Sequence, residues 1–109
     1  MFGSKTKKIE KAIAKKNYKA LIALTGSSDK EVRLAALAGL GKMECDDATN
    51  CLIQQLHNTD AQTRAASASA LGELGDIHAK AHISAQMAKE TDPAVKDIMS
   101  KAMARIKGY

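Results

Sequence analysis

The chain has 109 residues, a formal net charge of +5, and almost no aromatics: Phe2, Tyr18 and Tyr109, with no Trp. Its length fits one domain with a core covering roughly two-thirds of the unfolded surface, and its alanine richness, single proline (Pro93) and few β-branched residues point to an all-α class rather than to sheets. With no run of about 18 apolar residues and no apolar signal core, neither a membrane span nor an export signal is expected, and a cytoplasmic chain with Cys45 and Cys51 reduced is expected.

The first predicted element is an amphipathic helix over about 5–15, with Ile9, Ala12 and Ile13 on one side. It carries the charge of the chain. Residues 1–19 hold Lys5, Lys7, Lys8, Lys11, Lys15, Lys16 and Lys19 against Glu10 alone, and the remainder is nearly neutral. A short helix over Tyr18–Thr25 follows Asn17, a good N-cap. Asp29 then opens a helix that runs to Leu40 and stops at Gly41. After Asp46 and Asp47, Ala48–Leu56 forms the next helix, and Asp60 opens another that ends in Gly72-Glu73-Leu74-Gly75. Asp76 precedes Ile77–Lys89, and Asp92 precedes a last helix with Pro93 at its first position, where a missing N–H is harmless.

Three of these helices are copies of one pattern. Asp29, Asp60 and Asp92 are 31 and 32 residues apart. Each is followed four residues on by a basic residue (Arg33, Arg64, Lys96) and eleven on by a large apolar one (Leu40, Leu71, Met103). Two helices per period imply stacked antiparallel helix pairs whose apolar faces are covered by their neighbours. The expected architecture is an α-solenoid of about three pairs, with repeats at about 17–44, 45–75 and 76–107 forming a domain over 17–109, preceded by a basic capping helix over 1–16. Leu40 and Leu71 are expected to be buried between repeats. Lys96, Lys101, Arg105 and Lys107 suit a polar terminal face.

The Asp-x-x-Val-Arg-x-x-Ala-x-x-x-Leu-Gly pattern of residues 29–41 resembles the HEAT-like repeat of phycobilisome lyases and many prokaryotic scaffold proteins. Residues 60–72 match with Thr63 in place of Val, and 92–104 match loosely, with Lys96 for Arg and Ala104 for Gly. The resemblance covers about 17–107. It is specific for fold and nearly silent about function; the expected function is a prokaryotic protein-interaction or scaffold module, or alternatively an accessory, lyase-type protein acting on a tetrapyrrole-carrying protein, and the residues themselves offer no catalytic or cofactor-binding centre. The resemblance implies that the Asp and basic residues of each copy form a structural ladder: Asp29 with Arg33, Asp60 with Arg64, and Asp92 with Lys96.

The remaining candidates follow from spacing. Leu34 and Leu37, beside Ala65 and Ala68 in the same columns, lie off the centre of the buried stripe. They are expected to form an apolar surface for a partner protein or for a homo-oligomer contact. Lys5, Lys7, Lys8, Lys11, Lys15 and Lys16 form a basic patch that either caps the solenoid or binds nucleic acid or an anionic membrane, with Phe2 on the apolar side in the membrane case. His78 and His82 share a helix face but lack a convergent third ligand, so no metal is expected. Cys51 reads as a small buried apolar residue, and Ser67 and Ser69 as small packing residues of a covered helix.

Overall fold

The computed structural model describes residues 4–107, with side chains from residue 6 onward. Phe2 and the side chain of Lys5 lie outside the described residues. The described residues form seven helices and no strand: α1 (Ser4–Ala14), α2 (Tyr18–Leu24), α3 (Lys30–Leu40), α4 (Asp46–Gln55), α5 (Ala61–Leu74), α6 (Ile77–Met87) and α7 (Pro93–Arg105). None is long and apolar enough to cross a membrane.

Five of the helices begin where a polar side chain takes free first-turn amides. Asn17 accepts from the N–H of Ala20, Asp29 from Glu31 and Val32, Asp60 from Thr63, Asp76 from His78, and Asp92 from Ala94. Helix α4 departs from the expectation. It starts at Asp46, after an extended Cys45 that makes no side-chain cap. Asp46 and Asp47 therefore sit inside the first turn, where their charge meets the positive end of the helix dipole.

The helices stack in chain order as two rows. The second helices form one row, in which α1 packs on α3, α3 on α5, and α5 on α7. The first helices α2, α4 and α6 form the other, each packed on its own partner, α3, α5 or α7. The core runs along the seam and includes Leu21, Leu40, Leu52, Leu71, Ile83 and Met99. Leu40 and Leu71 are fully buried, as their shared column predicts; Met103, the third member, is half-buried.

Helix α5 ends inside the expected Gly72-Glu73-Leu74-Gly75 stretch. The helix continues to Leu74 and terminates on Gly75, which takes a left-handed conformation at φ 71° and closes on the Leu71 carbonyl at 3.0 Å. Gly72 is interior because α7 crosses there. A Cβ on Gly72 would lie 3.0 Å from both Cα and Cβ of Ala102, and one on Gly41 would lie 3.0 Å from Cβ of Ala70. The glycine after Leu40 and after Leu71 thus lets the next second helix approach to backbone contact. In the third copy the position holds Ala104, which is exposed.

Candidate interaction surfaces and the ladder between repeats

The arginines of the first two repeats point forward to the next repeat. Arg33 donates through Nε to Oγ1 of Thr63 at 3.0 Å and through a terminal nitrogen to the carbonyl of Ser27 at 2.9 Å, and it lies 3.5 Å from Asp60. Thr63 in turn donates its hydroxyl to Asp60 Oδ2 at 2.7 Å. This explains how a threonine replaces the apolar valine at a fully buried position: its oxygen both accepts and donates. Lys30 adds a contact to Asp60 at 3.2 Å. The Thr63 hydroxyl and backbone N–H, with Lys30, hold the Asp60 carboxyl at about 2, below the usual carboxylate range.

Arg64 forms the second rung, with Glu90 as its partner. Its guanidinium grips Glu90 at 2.9 Å on both carboxylate oxygens and holds the Asn58 carbonyl at 2.9 Å. The Glu90 side chain is 1 % exposed. The Arg64 hydrogen bonds pull its carboxyl below the ordinary range, and Glu90 raises the Arg64 value in return. Glu90 Oε2 also accepts from the N–H of Asp92 at 3.1 Å, as Asn58 does for Asp60 and Ser27 for Asp29. The column two residues before each capping Asp therefore shapes every inner loop, and in the third repeat it also supplies the rung. Sequence reasoning missed Glu90 because the neighbouring Asp92, with Lys96 four residues on, matched the copied pattern. Lys96 itself is exposed.

The surface assigned to Leu34, Leu37, Ala65 and Ala68 requires correction. Leu37 and Ala68 are 0 % exposed, and Leu34 and Ala65 are half-buried. A second helix in a stack is covered on both flanks and beneath, so its buried arc is wider than a single amphipathic stripe indicates. These columns face the following repeat, as the forward reach of Arg33 and the meeting of Gly41 with Ala70 show. In the third repeat the same columns hold Asp97 and Ser100, and both are exposed.

The outward columns are others. Ala38 and Ser69 stand exposed on α3 and α5, so Ser69 is a surface residue rather than the packing residue expected. With Ala66 and Ala70 they floor a trough of about 300 Å³ rimmed by Lys42, Glu73 and Arg105. Lys42 and Glu73 approach to 3.9 Å across it. Ser67, one turn from the trough, is buried and donates to the Thr63 carbonyl at 2.8 Å.

Of the basic patch, Lys7, Lys8, Lys11, Lys15 and Lys16 are exposed, while Ile9 and Ala12 anchor α1 in the core. Lys8, Lys11 and Lys15 line a groove of about 400 Å³ whose other wall is Ala20, Ala23 and Leu24 of α2. His78 and His82 are both exposed, and among the described residues no three His, Cys, Asp or Glu side chains converge as a metal group. Cys51 is buried, with its sulfur 3.7 Å from Oγ1 of Thr25; burial pushes its thiol up, away from the reactive thiolate.

Serial helix pairs, capped by aspartates and tied by forward-reaching arginines, define an α-solenoid built from short repeats. A family profile of HEAT repeats matches residues 18–104, and the chain belongs to the HEAT-repeat family. No curated protein matches the sequence.

Proposed function

We propose that this chain is a non-enzymatic protein-interaction module that presents the exposed face of its second-helix row to a partner protein. HEAT repeats are commonly protein-interaction scaffolds. The observation that carries the reading here is the trough over Ala38, Ala66, Ser69 and Ala70. Small side chains leave room there for a partner's side chains, and Lys42, Glu73 and Arg105 offer charges of both signs at the rim. The frame beneath is held by the Arg33 and Arg64 rungs, so little conformational entropy is lost on binding. No feature of the chain favours the tetrapyrrole-lyase reading over this one.

The test compares wild type with an Ala38→Arg, Ser69→Arg variant as immobilised baits in extract of the source cells. Both sites are exposed, so the variant should melt as wild type does and lose the proteins that wild type retains. An identical set of retained proteins, or none with wild type, would overturn the proposal.

A further inference from the structure

Ile13 fixes the place of α1 in the repeat. Its side chain lies 3.1 Å from where a Cβ on Gly39 would stand, which is the meeting that Gly41 makes with Ala70 and Gly72 with Ala102. Helix α1 is therefore in register with the second helices, with Ile13 in the column of Gly41 and Gly72. Ile9 then falls in the column of Leu37 and Ala68, and Ala12 in that of Leu40 and Leu71; all six are buried.

The same register exposes a contrast. Lys8 stands in the column of Ala36, Ser67 and Met99, and Lys11 in that of Gly39, Ala70 and Ala102, every one of them buried. Lys15 stands in the column of Met43, Leu74 and Ile106, of which two are buried and Leu74 half-buried. On α3 this face meets both the preceding second helix and the first helix of the pair, since Ile13 of α1 lies 3.1 Å and Leu21 of α2 3.3 Å from a Cβ placed on Gly39; on α5 and α7 the same column, Ala70 and Ala102, meets Gly41 and Gly72 of the preceding second helix. On α1 the three lysines are exposed and line the groove of about 400 Å³ against Ala20, Ala23 and Leu24. The groove lies where a first helix would pack against α1 and α2; among the described residues it is unfilled, and it is rimmed with positive charge.

We propose that this seat receives an amphipathic helix of a partner protein, which sets an apolar edge on Ala20, Ala23 and Leu24 and a row of carboxylates against Lys8, Lys11 and Lys15. The assignment rests on the reading of the chain as an interaction module and names the chemistry of a partner. The lysines are three and four residues apart, so they form one line along α1 and match acidic residues spaced the same way on an apposed helix. A second copy fits poorly, because α7 and the residues after it expose Lys96, Arg105 and Lys107 beside the Lys101–Asp97 pair, a net positive face, and stacking would set positive against positive. A nucleic acid would satisfy the lysines and leave the apolar wall without a partner. A flat bilayer would not reach a floor recessed between two helices.

The probe is a fluorescent peptide of about 18 residues, with Leu at helical spacing on one face and Glu on the flanks, titrated by anisotropy. It should bind saturably to the whole chain. Binding should weaken about tenfold or more for a Lys8→Glu, Lys11→Glu, Lys15→Glu variant. The single variant Ala23→Glu, at an exposed site, should weaken it comparably and keeps the test valid if the triple variant misfolds. The Ala38→Arg, Ser69→Arg variant should bind the peptide as wild type does. Equal binding of a scrambled peptide, tighter binding of duplex DNA or phosphatidylserine vesicles, or no binding would overturn the seat. If the trough variant still loses its cellular partner in that event, the seat alone fails; if both fail, the module reading fails with it.

Discussion

Lys16 is the one non-glycine among the described residues with a positive φ, 55°. It ends α1 in a left-handed turn, closed by bonds from the Lys16 N–H to the Ile13 carbonyl at 3.0 Å and from the Asn17 N–H to Ala12 at 2.8 Å. A side chain there costs about 1 kcal/mol relative to glycine. Lys16→Gly should therefore raise stability by roughly 0.5–1 kcal/mol in urea melts, and the loss of a positive charge from a crowded basic segment acts in the same direction. Glu90 makes the opposite case. Its carboxylate is buried and gripped on both oxygens, so Glu90→Ala leaves Arg64 without its partner and should cost on the order of 3 kcal/mol. Asp60 and Glu90 together set the response to acid. Both are held below their ordinary values, so the unfolded chain takes up protons first as pH falls. Their contribution is complete above about pH 5, begins to be lost near pH 4 as the unfolded carboxyls take up protons, and falls on until the folded carboxyls protonate, which for Asp60 is at about 2. Stability measured from about pH 7 down to pH 3 should drop less for a combined Asp60→Asn, Glu90→Gln variant than for wild type.

Among the elements, the first two repeats were legible in the sequence because cap, apolar column and glycine stop recur together. Leu71→Ala should cost about 2–5 kcal/mol, read as a loss of melting temperature, because Leu71 is fully buried between α5 and its neighbours. The faces of the helices were harder to read. Helical periodicity shows the centre of a buried stripe but not its width, and Leu34 and Leu37 sit on the flank that the next repeat covers. The decline from leucine in the first repeat, through alanine in the second, to Asp97 and Ser100 in the third was the available signal that this flank faces the next repeat. Glu90 was hidden for another reason. Its role depends on a loop column occupied by Ser27, Asn58 and Glu90, three side chains with little in common except an oxygen that can accept an N–H. The groove beside α1 also lay beyond sequence pattern, because the lysines are unusual only once Ile13 has fixed the register.

At the scale of the molecule, the stack is a series of nearest-neighbour contacts, and each assignment of an open or covered column depends on how the second helices meet. The measurement that tests this most directly is a double-mutant cycle between Gly72→Ala and Ala102→Gly, with stability read from urea unfolding. Helix propensity alone favours the first change and disfavours the second by about 1 kcal/mol each, and these terms cancel in the cycle. Contact between the two helices does not cancel. A Cβ on Gly72 would stand 3.0 Å from the Ala102 Cβ, so Gly72→Ala should be destabilising in the wild-type background and partly relieved when Ala102 is glycine. In the wild-type background Gly72→Ala is expected to lose about 1 kcal/mol, and the loss is expected to shrink only in part when Ala102 is glycine, because the Ala102 Cα also lies 3.0 Å away and stays. A Gly72→Ala change that stabilises in both backgrounds would mean that α5 and α7 do not meet at these residues, and the register on which the open seat and the covered flank both rest would be contradicted.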